Sequence, residues 1–160
     1  EKLVRALLAS PLPVIARVQG PAVAGGVGLV AACHLAVASP GARFFTPEVR
    51  SGLYPLMVHA LVEHTVGRKR CFAMGLTERS LSAAEARDLG LVNEVVAPEL
   101  LDETIEKWIA SMEKIQRDRL VHCMQALSRT QGRQVGDRVQ ELQRALDELS
   151  GDLSGRPPQR

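Results

Sequence analysis

Aromatic side chains are scarce in this chain, which has one Trp, one Tyr and three Phe, 3% of 160 residues. With so few rings to stack on bases and a formal net charge of only +2, it has neither stacking platforms nor a strongly basic surface, and no nucleic-acid partner is expected. Cysteine is as thinly spread. Cys33, Cys71 and Cys123 are odd in number, far apart and without a CxxC pair. That speaks against a disulfide framework or a zinc site and for a reducing compartment, so no metal is expected. A membrane span needs about 20 consecutive apolar residues. The longest uncharged run, Val18 to Ala42, is broken by Gly20-Pro21, Gly25-Gly26 and His34. No membrane association is expected, and no stretch has the layout of a signal peptide. What remains is ordinary for a folded domain, with 46% hydrophobic and 24% charged residues.

The densest information lies between Pro13 and Tyr54. Val14, Ile15 and Val18 form a β-branched run bounded by Pro13 and Gly20, which reads as a strand covered on both faces. From Ala22 to Ala32 no residue is charged and most are small, so this backbone can approach a neighbouring segment or a ligand closely. Gly25 and Gly26 fall where the segment turns into a helix. The first N–H groups of a helix have no internal partner and carry the positive end of its dipole, so they can hold an oxygen bearing negative charge. Further on, Glu48 stands between FFTP and VRSGLYPL. The residues alone permit two readings of it. One is a carboxylate among apolar neighbours, raised in pKa toward a base that takes and returns a carbon-bound proton. The other is an ordinary ion pair with Arg50.

Four blocks, PVIARVQGPAVAGG, CHLAVAS followed by ARFFTPE, VGRKRCFAMGLT and LSAAEARDLGLVNEVV, occur in one order over roughly Leu3 to Val96. In these blocks the chain resembles the crotonase family, the enoyl-CoA hydratases and isomerases. The resemblance implies an α/β fold, a crotonase-like spiral of ββα repeats followed by C-terminal helices. The opening EKLVRALLASPLP corresponds to the middle of the family's domain, so the N-terminal repeats are expected to be missing. The implied substrate is an acyl-CoA thioester that brings its own CoA, with no separate cofactor. By the same resemblance the Gly25 N–H donates to the thioester oxygen and Glu48 moves protons. Ala24, Gly26, Gly28, Tyr54 and Pro55 are then expected at the substrate. The second donor to that oxygen comes from the family's N-terminal repeats, so residues 1–160 alone are expected to be poorly soluble and inactive.

One position departs from the family's hydratases. Those enzymes carry a catalytic glutamate three residues after the oxyanion glycine, and here Gly28 stands there. Hydration wants two carboxylates, one to activate water and one to protonate the adjacent carbon. Shifting a double bond can be done by one base acting at both carbons, so the expected activity leans to isomerisation. The alternative is an inactive crotonase-like protein that binds acyl-CoA or supports oligomerisation. The resemblance also implies a homotrimer or a dimer of trimers. The expected location is the cytoplasm, or the mitochondrial matrix if a transit peptide precedes the chain.

Along the chain, apolar spacing predicts helices over Lys2–Leu8, Gly25–Ala32, Leu56–Val66 and Lys69–Met74, with Gly67 and Gly75 as stops. Strands are expected at Val14–Val18, Leu35–Ala38, Arg43–Thr46 and Leu91–Val96. Ser82-Ala83-Ala84-Glu85 reads as a capping box. Three amphipathic helices are expected at about 98–115, 119–127 and 135–149, the first with a stripe of Leu101, Ile105, Trp108, Ile109 and Met112. The organisation read from this is a core at 1–96, a helical trimerisation or lid region at 97–150 and a flexible tail at 151–160.

Other constellations have plainer readings. Gly26-Val27-Gly28-Leu29-Val30-Ala31 fits GxGxxA, but Gly20-Pro21 and four more residues separate it from the strand, and the next strand ends without an acid. His59, Glu63 and His64 are spaced HxxxEH, which sets the two histidines about 140° apart on a helix, unsuited to one metal. Cys33 and Cys71 read as small hydrophobes. Arg68-Lys69-Arg70 reads as a solvated face, with CoA phosphates as the alternative.

Overall fold

The structure, a computed structural model, describes residues 2–130 together with 144, 145, 147 and 148. The helix expected over 135–149 lies largely outside the described residues, and the tail at 151–160 wholly so. The chain divides into two compact units, one of Glu1–Leu8 with Val14–Ala110 and one of Ala9–Pro13 with Ser111–Arg160. The second unit contains α7, Arg117–Arg129, and the last two residues of the helix that ends at Met112. The rest of the architecture belongs to the first unit.

Its elements run α1 Lys2–Leu8, β1 Ile15–Val18, β2 Ala22–Val23, α2 Gly25–Ala32, β3 Leu35–Ala38 and β4 Arg43–Phe45. A 3₁₀ turn at Glu48–Ser51 follows, then α3 Leu56–Val66, α4 Arg68–Thr77, β5 Leu81–Ser82, α5 Ala83–Asp88 and β6 Glu94–Val95. A second 3₁₀ turn, Pro98–Leu100, leads into α6 Leu101–Met112, whose last two residues fall in the other unit. The strands form two small sheets, ordered β1-β3-β6 and β2-β4-β5. The first is parallel throughout, with Ile15 opposite Leu35 and Val37 opposite Glu94. In the second, β2 and β4 are parallel and β5 runs antiparallel to β4.

The burial pattern corrects one expectation. Among the described residues β1 pairs with β3 alone, Ile15 and Ala16 are only half-buried, and Arg17 is exposed, bonding Asp102 of α6 at 2.5 Å. The strand covered on both faces is β3, with Ala36, Val37 and Ala38 all buried at the centre of its sheet. Between and around the sheets Val27, Phe44, Val62, Val66, Leu81 and Val92 form the core, each no more than 2% exposed. Fully burying such side chains contributes about 1.5–3 kcal/mol apiece. The capping box is present: the Ser82 hydroxyl accepts from the Glu85 N–H at 3.2 Å, and the Glu85 carboxylate accepts from the Ser82 N–H at 2.9 Å. β6 and α6 are shorter than the expected spans at 91–96 and 98–115. On α6, Leu101 is fully buried whereas Ile109 is 43% exposed, so the apolar stripe is only partly covered.

A histidine ties β1 to β3. The Val14 N–H donates to His34 Nδ1 at 3.0 Å, while the His34 N–H donates to the Val14 carbonyl at 2.9 Å. Accepting at Nδ1 requires a neutral ring, and burial lowers the His34 pKa from its free value of 6.5. Between the folded and unfolded pKa values the unfolded chain binds more protons, so stability rises with pH there. This contribution is complete above pH 6.5 and is lost as pH falls through the lower folded value. His34→Asn, whose amide oxygen accepts without titrating, should flatten the decline in urea midpoint below pH 6.5. An unchanged slope would mean that His34 does not govern it.

Candidate active site

The parallel pair of β2 and β4 builds the site. Val23 lies opposite Phe45, and the Ala24 N–H donates to the Phe45 carbonyl at 2.9 Å. Parallel strands end at the same edge of a sheet. Gly25, two residues past Val23, and Glu48, three residues past Phe45, therefore emerge at one edge.

Ala24 is the N-cap of α2 with φ 52° and ψ −124°, an unfavourable backbone for a residue with a Cβ. Such a conformation costs about 1–3 kcal/mol and persists where the surroundings over-determine it. Here the β4 carbonyl holds its N–H and the Val27 N–H holds its carbonyl at 3.0 Å. The turn aims the opening of α2 away from the strand, and among the described residues no acceptor takes the N–H of Gly25 or Gly26. No side chain caps the helix and no acid occupies its first turn. The N–H groups are free to receive an oxygen from outside.

Glu48 opens the 3₁₀ turn that Gly52 closes at φ 69°. Its Oε2 is buried and has no hydrogen-bond partner among the described residues. The ion pair with Arg50 is not formed. Arg50 bonds Glu78 at 2.5 Å instead, because the tight turn carries positions 48 and 50 in different directions. Just ahead of Glu48, the Thr46 hydroxyl donates to the Met74 carbonyl at 2.9 Å, fixing β4 against α4.

Gly28 is buried in α2 against α3, where a Cβ would stand 3.2 Å from Leu61 Cδ1 and 3.7 Å from Val58 Cγ2. Gly26 would meet only the Ala22 Cβ, at 4.0 Å. Pro55 is buried at the N-cap of α3, its carbonyl accepting from the His59 N–H at 2.8 Å. Tyr54 places its hydroxyl 2.6 Å from His59 Nδ1. Gly75 does not stop a helix as expected. α4 runs on to Thr77, and Gly75 lets the Tyr54 ring lie so close that an added Cβ would sit 2.7 Å from its Cε2. The sequence reading missed His59 as a partner of this region. The available signal was the i, i+4 spacing of His59 and Glu63, now 3.4 Å apart.

Over residues 1–150 the chain matches the family model described as Enoyl-CoA hydratase/isomerase. The chain belongs to that family. It is similar to a putative enoyl-CoA hydratase of Thermus thermophilus, 43% identical over 88 residues, which cover 55% of this chain and 35% of the relative. It is also similar to the mitochondrial enoyl-CoA hydratase domain-containing protein 3 of Homo sapiens, 42% identical over 107 residues, 65% of this chain and 35% of that protein. The match thus spans about a third of these curated relatives. Among solved structures, enoyl-CoA hydratase of Mycobacterium smegmatis superposes with a TM-score of 0.84 at 34% identity, over 98% of this chain and 65% of that one. The human domain-containing protein 3 superposes at 0.86 with 27% identity, over 99% and 67% of the two chains. The mixed α/β architecture of this enoyl-CoA hydratase/isomerase family member is therefore the crotonase fold. Among the described residues no helix is long and apolar enough to cross a membrane.

Proposed function

We propose that this family member acts on an unsaturated acyl-CoA thioester and shifts its double bond, with Glu48 as the proton carrier and the Gly25 N–H as a donor to the thioester oxygen. The observation that carries the reading is the Glu48 carboxylate itself, whose Oε2 is buried without a partner at the sheet edge where α2 opens. Leaving such an atom unpaired costs about 1–3 kcal/mol, a cost with a purpose where a substrate supplies the missing partner. In a 3-enoyl thioester the carboxylate takes a proton from C2, the electrons move onto the thioester oxygen as an enolate, and the same carboxyl returns the proton to C4. No water enters and no second carboxylate is needed, which suits a glycine at position 28. CoA arrives with the substrate, so the step uses no other cofactor.

The test is to incubate the full-length protein with a 3-enoyl-CoA and, separately, with a 2-enoyl-CoA. Conversion of the first to its 2,3 isomer without net addition of water to the second is the expected result. Addition of water to the 2-enoyl-CoA would make the protein a hydratase. Tight binding without turnover of either would leave an acyl-CoA-binding scaffold.

A further inference from the structure

We infer that His59 is a positioning residue for Glu48, acting through the Tyr54 hydroxyl; the inference rests on Glu48 being the proton carrier. Glu48 Oε2 bonds to nothing among the described residues, so no hydrogen bond to that atom aims the carboxylate. Its aim depends on the 3₁₀ turn that carries it, and the turn depends on its anchors. On the N-terminal side the anchor is the buried bond from Thr46 to the Met74 carbonyl. In the middle Arg50 meets Glu78, but the Arg50 side chain is 67% exposed and such pairs hold weakly.

The C-terminal anchor is built differently. The Leu53 N–H closes the turn onto the Glu48 carbonyl at 3.1 Å, and the next residue, Tyr54, is held at several points. Its ring lies against Gly75 and packs tilted on Phe72 with centroids 6.1 Å apart. Its hydroxyl meets His59 Nδ1 at 2.6 Å. His59 is itself fixed, edge-on to Phe72 at 4.8 Å, with Nε2 3.4 Å from Glu63 Oε2 and a side chain only 15% exposed. Burial, then the nearby Cys71 and Glu63, raise the Tyr54 pKa, so the phenol keeps its proton. The other ring nitrogen, Nε2, faces the Glu63 carboxylate. The series from Glu63 to His59 by close contact and from His59 to Tyr54 by a hydrogen bond thus ends on the residue after the bond that closes the Glu48 turn. A reacting group displaced by about 1 Å can lose 10²-fold in rate, so this anchor matters to turnover before it matters to binding.

The test uses Tyr54→Phe, His59→Leu, their combination and His59→Asn in the full-length protein, each checked for a folded state by thermal unfolding. Tyr54→Phe keeps the ring and removes only the bond. Each of the first two should lower kcat for isomerisation by about 10- to 100-fold with KM little changed. The combination should be no slower than either alone, because both break one link. His59→Asn, whose amide oxygen reaches the Nδ1 position, should recover most of the loss. A folded Tyr54→Phe turning over at the parent rate overturns the inference, as do two losses that multiply. If His59→Leu fails to fold, Tyr54→Phe decides alone. Glu48→Gln is measured alongside. If it is inactive while Tyr54→Phe is fully active, only the positioning role falls. If Glu48→Gln is itself fully active, the functional reading and this inference fall together.

Discussion

Glu48→Gln in the full-length protein is expected to lower turnover of a 3-enoyl-CoA by about 10² to 10⁴ while leaving thioester binding nearly intact. The amide matches the carboxylate in size and fits the same turn, but it cannot take a proton from carbon at C2 or hand one back at C4. Stability should move the other way or not at all. Oε2 is buried with no partner, and a neutral amide placed there removes the penalty of an unpaired charged group. A variant that is catalytically poor yet unfolds at the same or a higher temperature is the signature of a residue kept for chemistry against the interest of the fold. Steady-state rates and a thermal melt on the same sample measure both. Parent-level turnover would remove Glu48 from the mechanism. A large loss of folding would instead make it a structural residue.

The elements that the sequence made legible are those whose signal is local. α1, α2, α3 and β3 have the expected bounds because apolar spacing and Gly67 act within a few residues. The Ser82 capping box is local too. β2 and β5, two residues each, carry no pattern of their own; both are strands only because β4 lies between them. Gly75 was misread for a related reason. A glycine near the end of an apolar stretch resembles a helix stop, whereas its cause is the Tyr54 ring, 21 positions earlier in the sequence. Gly25 and Glu48 could be picked out as candidates because their motifs are contiguous in the chain, and the pairing of β2 with β4 brings both to one sheet edge. Their partners could not be picked out. Arg50 stands two positions from Glu48 yet bonds Glu78, 28 positions away, and nothing in the spelling of the 3₁₀ turn foretells that. His59 was weighed as a metal ligand by its spacing to His64, while the contact that gives it a role runs back to Tyr54.

Gly28→Glu is expected to lower stability by several kcal/mol and to give no hydration, although it restores the carboxylate that the family's hydratases carry at this position. Losing a glycine from the helix is worth up to about 1 kcal/mol. Against that, the new side chain meets α3 at its first atom, 3.2 Å from Leu61 Cδ1 and 3.7 Å from Val58 Cγ2. A carboxylate driven between those apolar groups has no partner among them, and an unpaired buried charge costs several kcal/mol. The obstruction is therefore α3 as much as the missing acid, and removing the blocking group should change the outcome. Leu61 is half-buried, so Leu61→Ala should cost less than the about 2–5 kcal/mol of a fully buried leucine. It also takes away the nearest atom. In the Gly28→Glu, Leu61→Ala variant the melting temperature should rise above that of Gly28→Glu alone, and slow hydration of a 2-enoyl-CoA should appear. Gly28→Glu as stable as the parent would show that Leu61 and Val58 yield freely and that α3 does not exclude the acid. A well-folded double variant that isomerises but never adds water would show that more than this one carboxylate separates the protein from a hydratase.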